Sequence, residues 1–296
     1  MTTASIIAGV DGSGRGRDAL ALARMLAELR GAQLIAASVY RRDDDRGARA
    51  AAESALAAAG GDGIELRAVS ASSPARGLHE LAEVTGAEFV VVGSTHRAGI
   101  GRVLPGGTGD RLLQESPCAV AVAPIGYADR TDGIVRVVAA GYDLSSESEA
   151  AVDLAAELAR AAEGTLRLLS VDEPRAARSA DVIAGAYAAR PFADGRERLR
   201  TRVMERRDAL PAVLRADATI LSGFPAPELL EEIDKGVDLV VLGSRGYGPL
   251  GRALVGSVSA DVIRASPCPV VLVPRAAARE PRAAAATTRD NEGATA

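Results

Sequence analysis

The sequence predicts an α/β fold made of two tandem doubly wound domains, each a five-stranded parallel sheet with helices on both faces. Three observations lead there. Short runs rich in Val and Ile alternate with longer stretches of helical period, the order expected of βαβ units. The short runs are apolar throughout, as strands covered on both faces must be. The whole pattern is also written twice. Ile6-Ile7-Ala8-Gly9-Val10-Asp11-Gly12-Ser13 is matched by Val137-Val138-Ala139-Ala140-Gly141-Tyr142-Asp143-Leu144-Ser145, and Phe89-Val90-Val91-Val92-Gly93-Ser94 by Leu239-Val240-Val241-Leu242-Gly243-Ser244. Ser116-Pro117-Cys118-Ala119-Val120 then matches Ser266-Pro267-Cys268-Pro269-Val270. A repeat this long is a whole domain rather than a solenoid unit.

In the first half, strands are expected at Ser5–Val10, Gln33–Tyr40, Ile64–Val69, Glu88–Gly93 and Ala119–Ala123. The first helix carries Leu22, Leu26 and Leu29 at helical spacing, and others are expected at Arg46–Ala59, Pro74–Thr85 and Gly106–Glu115. The second half repeats this with strands at Val135–Ala140, Thr165–Val171, Ala216–Leu221, Asp238–Gly243 and Pro269–Val273. Its first helix, with Leu154, Leu158 and Ala161, can open on a capping box of Ser146 and Glu149. The domains are read as residues 1–124 and 134–274, joined by a linker at 125–133 that is rich in turn formers. Asp172 to Pro191 reads as a surface insertion before a helix containing Arg198 to Arg206. Residues 275–296, without periodicity, are expected to be a disordered tail.

Composition excludes several functions. Of 296 residues, 48% are hydrophobic and 25% charged, enough for real cores, and the formal charge of −4 gives no basic excess for nucleic acid. Two cysteines, Cys118 and Cys268, and two histidines, His79 and His96, make neither a disulfide framework nor a zinc site. The single lysine, Lys235, is followed by Gly236 and Val237, so no Walker A loop exists. No apolar run approaches a membrane span and no leader opens the chain, so a cytoplasmic protein without membrane contact is expected.

The most informative stretch runs from Gly243 through Ser244, Arg245, Gly246 and Gly248 to Gly256 and Ser257. It leaves a strand, crosses a glycine-rich loop and enters a helix beginning near Gly256-Ser257-Val258-Ser259. Glycines let backbone amides approach an anion, and the helix start presents unpaired N–H groups and a positive dipole end. Ser257 and Ser259 offer hydroxyls, and Arg245 and Arg252 offer counter-charges, so a polyphosphate can be held without lysine. Asp143 ends the first strand of this half; beside the loop at a switch point, its carboxylate would reach ribose hydroxyls or a metal. Each of these residues also has a plainer reading. Glycines at strand ends often serve turns, Asp11 and Asp143 can stabilise turns, and Ser13 and Ser145 read as helix caps. His79 reads as solvent-exposed, and Cys118 and Cys268 as inert thiols.

The spacing Gly-x-x-Gly-x9-Gly-Ser resembles the nucleotide motif of the universal stress protein family, matched in full by Gly243, Gly246, Gly256 and Ser257. The early Val-Asp-Gly-Ser and Tyr-Asp-Leu-Ser turns and the Ser-Pro-Cys-x-Val approach to the last strand resemble it in both halves, making this a tandem member. The resemblance implies strand order 3-2-1-4-5 and ATP binding, with Mg2+ as an optional companion. It places Asp11 or Asp143 near the adenosine and Val39 or Val171 near the adenine. The first half departs from the motif: Gly93 and Gly106 are kept, His96 takes the second glycine position, and Gly107 takes the Ser position with Thr108 next. The final strands would lie at sheet edges. The resemblance implies that they pair across a twofold axis, within the chain or between two copies. A nucleotide-responsive regulatory module is expected, the alternatives being a nucleotide-free scaffold or a weak nucleotide hydrolase. A water-orienting base or committed metal cluster is not evident, and Asp11-Gly12-Ser13-Gly14 lacks the Ser-Gly-Gly-x-Asp-Ser loop of ATP-cleaving relatives.

Overall fold

The computed structural model describes residues 4–41, 46–61, 63–95, 103, 105–173, 189–244 and 256–274. The first half runs β1 (Ser5–Gly9), α1 (Gly14–Arg30), β2 (Gln33–Arg41), α2 (Arg46–Ala59), β3 (Ile64–Ala71), α3 (Pro74–Thr85), β4 (Phe89–Gly93), α4 (Gly107–Glu115) and β5 (Ala119–Ala123). One helical turn, α5 (Tyr127–Arg130), follows. The second half runs β6 (Val137–Gly141), α6 (Ser146–Ala161), β7 (Thr165–Asp172), α7 (Ala189–Asp208), β8 (Arg215–Ser222), α8 (Pro225–Ile233), β9 (Leu239–Gly243), α9 (Ser257–Ala265) and β10 (Val270–Val273).

The strands form one ten-stranded sheet in the order β3-β2-β1-β4-β5-β10-β9-β6-β7-β8. Each half is parallel within itself in the order 3-2-1-4-5. The two halves meet at β5 and β10, which run antiparallel with Val270 opposite Val122, Val271 opposite Ala121 and Leu272 opposite Val120. The final strands therefore lie in the middle of the sheet, and the outer edges are β3 and β8.

Strand residues alternate between two cores because successive side chains point to opposite faces. Ile6, Ala8 and Val91 join Leu22 and Leu26 of α1, Val152 and Leu158 of α6 and Val203 of α7 on one face. Ile7, Val90 and Val92 join Leu78 of α3, Leu112 of α4, Ile233 of α8 and Val262 of α9 on the other. Both cores cross from one half to the other, so the junction is as dry as the interior of either half.

Local chemistry sets the helix ends. Gly31 stops α1 at φ 58°, a left-handed conformation that favours glycine. Ser73 caps α3 by accepting from the Arg76 amide, with Pro74 in the first turn. At α6 the capping box of Ser146 and Glu149 does not form, and the cap is the Ser145 that the sequence also suggested. Ser145 accepts from the Ser148 amide, while Glu149 accepts from the Tyr142 hydroxyl and pairs with Arg206 of α7.

The segment read as linker holds α5 and is pinned to α1. Buried Asp18 accepts from the amides of Gly126 and Ala128, each at 2.9 Å. Most of the 172–191 insertion and the whole 275–296 tail lie outside the described residues, and α7 takes in Pro191, which the backbone tolerates in a first turn. His79 is half-buried rather than exposed, its Nε2 lying 3.4 Å from Glu83. Among the described residues no helix is long and apolar enough to cross a membrane.

Candidate functional sites

Each half has a cleft at the carboxyl ends of its parallel strands, where the strand order reverses. In the first half the cleft is about 610 Å³ and in the second about 210 Å³. Ligand pockets generally span roughly 300–1,000 Å³, so the first has room for a small molecule and the second, as it stands, for part of one.

Equivalent elements build the two clefts. Two residues beyond the first strand of each half stands an aspartate in an Asx turn. Asp11 Oδ1 accepts from the Ser13 amide and hydroxyl, and Asp143 Oδ1 from those of Ser145, the amide distances both being 3.1 Å. Both aspartates thus perform the turn-stabilising task, and both also line their cleft. Asp11 is further held by Arg15, Oδ2 to Nη2 2.8 Å. Burial pushes its carboxyl up, but the Ser13 hydroxyl and amide and the Arg15 guanidinium outweigh this and hold it below the ordinary carboxylate value. Val39 at the end of β2 and Val171 at the end of β7 line the apolar side of their clefts, with Leu78 and Leu229 beyond them.

The same clefts are lined by the starts of α4 and α9. Their N-caps are Gly106 and Gly256, and neither has a side-chain cap, in contrast to α3 and α6. The first amides of both helices therefore have no side-chain acceptor among the described residues where they meet the cleft. Gly106, Gly107 and Thr108 line the first cleft; Gly256, Ser257, Val258 and Ser259 line the second. Ser259 Oγ donates to the Gly243 carbonyl at 3.0 Å, which ties α9 to the end of β9 and leaves that hydroxyl only its acceptor capacity. Ser244 is buried in the second cleft, and its Oγ has no hydrogen-bond partner among the described residues. Its counterpart, Ser94 Oγ, donates to the Ala123 carbonyl at 2.7 Å.

Gly93 and Gly243 line the clefts, yet their lack of a side chain serves packing. A Cβ on Gly93 would stand 2.3 Å from the Arg15 carbonyl oxygen, and one on Gly243 would stand 2.5 Å from the Glu147 carbonyl carbon. The glycines let the first turns of α1 and α6 press against β4 and β9. Of the other sequence-predicted residues, His96, Arg245, Gly246 and Gly248 lie outside the described residues, as does Arg252.

The clefts also contain residues that sequence reasoning did not find. Tyr142 lines the second; burial and then the Glu149 carboxylate push its phenol up to about 12. Arg15, Thr95 and Arg264 line the first. Arg15 was signalled by its position four residues after Asp11, a helical neighbour spacing. Arg264, from α9 of the other half, had no local signal. The two thiols stand away from both clefts: burial pushes Cys118 up to about 11 and Cys268 up to about 12, so both stay protonated.

The architecture defines the class: a tandem pair of doubly wound α/β domains, each with a cleft at the carboxyl ends of its strands. The model of the Universal stress protein family matches residues 3–124 and again residues 135–274, and the chain belongs to that family with two copies in tandem. Universal stress protein Rv2319c of Mycobacterium tuberculosis is 30% identical over 229 residues, 72% of this chain and 74% of that protein. Universal stress protein YxiE of Bacillus subtilis is 31% identical over 140 residues, 45% of this chain and 93% of that protein. The fold is shared with a solved universal stress protein from Archaeoglobus fulgidus, with a TM-score of 0.62 and 18% identity, covering 93% of this chain and 100% of that one. A universal stress protein structure from Pseudomonas aeruginosa gives 0.65 and 17%, covering 92% and 93%.

Proposed function

We propose that this universal stress protein binds ATP in its two strand-end clefts and works as a nucleotide-responsive regulatory module in the cytoplasm, not as a catalyst. The observation that carries this reading is the glycine-capped helix start that shares each cleft with a strand-end valine. A triphosphate fits the amides of α4 and α9 left without a side-chain acceptor, aided by the helix dipole, without needing lysine. The apolar wall at Val39 and Leu78, or Val171 and Leu229, suits an adenine, and Asp11 or Asp143 suits ribose hydroxyls. In the second cleft Ser244 Oγ is a buried polar group awaiting a partner, which a ligand or water there would supply.

Among the described residues no group of three or more His, Cys, Asp or Glu side chains could hold a metal. In this reading Mg2+ arrives with the phosphates, and one aspartate in each cleft is the protein's contribution to it. The two strand-end aspartates are engaged by their own turns, Asp11 by Ser13 and Arg15 and Asp143 by Ser145, which favours binding over turnover. Pairing of β5 with β10 supplies the internal dimer of the proposal, with association into a homodimer as a further level.

The test is direct. The purified protein is denatured and any released nucleotide identified by chromatography, and ATP, ADP, AMP and cAMP are then titrated into nucleotide-free protein by calorimetry. Bound ATP that survives purification, or an affinity for ATP well above that for AMP and cAMP, supports the reading. Absence of both sinks it. Conversion of bound ATP to ADP over hours would replace the binding module by a slow hydrolase.

A further inference from the structure

We propose that the first cleft is completed across the junction between the halves, with Arg264 of α9 acting as a binding residue for the anionic end of the first-cleft ligand. This rests on the ATP reading above and extends it to which half of the chain recognises the phosphates.

Two independent observations carry it. Arg264 lies in the last turn of α9, in the second half, yet lines the first cleft beside Gly106, Gly107, Thr108 and Asp110 of α4. The first half's loop is also tied to the same end of that helix. The buried Val103 amide donates to the carbonyl of Ser266, the C-cap of α9, at 3.0 Å. Val103 packs in the same core as Val262 and Ile263. The end of α9 is thus packed against the first half two residues before Pro105, which lines the first cleft, and the arginine extends from a fixed backbone.

Arg264 is available for this task. Its ion pair with Asp261 spans 3.6 Å, with side-chain exposures of 56% and 63%, a solvent-screened contact that a phosphate can displace. The guanidinium also fits the oxygens of a phosphate in a bidentate manner. The need is local to the first half. Gly107 stands where the second half has Ser257, so the start of α4 keeps only the Thr108 hydroxyl, one position further along the helix. Arg15, the other cation of this cleft, is already engaged by Asp11. The residue equivalent to Arg264 in the first half is Gln114, neutral and absent from the described lining of the second cleft. The two clefts are therefore unlike: the first takes a cation from across the junction, and the second has no such donor among its described residues.

Calorimetric titration of the full chain tests this with each cleft isolated in turn. A carboxylate introduced at the start of α9 (S257D) disfavours phosphate in the second cleft, and one at the start of α4 (T108D) does so in the first; neither opposes its helix dipole. In S257D, adding R264Q is expected to weaken ATP about tenfold, the size of one charge-assisted contact. Adenosine, which has no phosphate, is expected to stay within about twofold, and R264K to recover much of the ATP affinity. In T108D, R264Q is expected to leave ATP unchanged. ATP affinity unchanged by R264Q in S257D overturns the proposal, and so does an equal loss for adenosine, which would mean collapse of the cleft. If S257D alone binds no ATP while T108D does, the nucleotide reading of the first cleft fails and this proposal falls with it. That result is distinguishable from the others because it is seen before Arg264 is altered.

Discussion

Replacing Gly243 by alanine separates a ligand-binding glycine from a packing one. The added methyl would sit 2.5 Å from the Glu147 carbonyl carbon, 2.6 Å from its oxygen and 2.9 Å from the Ser148 amide nitrogen. All three are backbone atoms in the first turn of α6, so no side-chain rotation relieves the clash. Either α6 lifts from β9 or the strand end bends. α6 also contributes Val152, Ala155 and Leu158, each 0% exposed, to the core, and lifting it would open that packing. Overpacking generally costs about 1–3 kcal/mol, and a clash confined to rigid backbone belongs at the upper end, about 3 kcal/mol. For a unit of this size that is a fall in melting temperature of roughly 6–12 °C. The assay is denaturant and thermal unfolding of ligand-free wild type and G243A, followed by ATP titration of both. The control is G107A, where a Cβ meets nothing within 4 Å at the first position of α4; alanine there is expected to be neutral or to stabilise by about 0.5 kcal/mol. If G243A unfolds like wild type yet loses ATP affinity tenfold, the packing argument is wrong and the glycine serves the ligand.

Alanine at Asp18 removes the acceptor of the Gly126 and Ala128 amides and should destabilise by about 2 kcal/mol, with faster proteolysis around α5; unchanged stability and cleavage would mean that the tie is unimportant. Asp11, held below its ordinary 3.8 in the folded protein, contributes stability that is present above the unfolded value and lost as pH falls through the folded one. The stability gap between wild type and D11N is therefore expected to close from about pH 4 downward, and a gap that widens on acidification contradicts the assignment. With thiols pushed up to about 11 and about 12, Cys118 and Cys268 should resist a thiol reagent at mildly alkaline pH until denaturant is added. Prompt labelling of the native protein would show that burial of these thiols is incomplete.

Elements whose cause is local were readable in the chain. Arg46–Ala59 and Pro74–Thr85 have the boundaries their periodicity and punctuation imply, and Ala119–Ala123 is the strand its apolar run implies. Strand ends differ by one or two residues because the last rung of a ladder depends on the neighbouring strand, as with Arg41, which finds Ala71 opposite it. The capping box failed for a tertiary reason. Glu149, which looks like a residue that folds back on its own helix start, is taken by Tyr142 and by Arg206 from another helix. His79 lies on a face that reads as polar, but Glu83 and the surrounding packing draw it half under cover. The clefts were legible through the aspartates, the valines and the helix starts, all of which sit at strand or helix ends. Arg264 was not, because it reaches its cleft only through the β5·β10 junction and the contact between Val103 and Ser266.

That junction also gives a physical reason for two copies within one chain to differ. In a symmetric pair of separate, identical chains every residue change appears at both sites, so a loss in one cleft cannot be met by a gain confined to the other copy. Covalent fusion removes the constraint. Here the half with Ser257 and Ser259 at its own helix start also carries Arg264, and the half with Gly107 and Gly109 carries Gln114. The glycine in place of Ser257 and the added cation fall on opposite copies, yet both bear on the first cleft. Divergence of this kind requires the halves to be held in one register, which the antiparallel pairing of β5 with β10 and the two cores running beneath and above it enforce. A mutation that loosens the junction should therefore affect the first cleft before the second, since the first draws a cation through it.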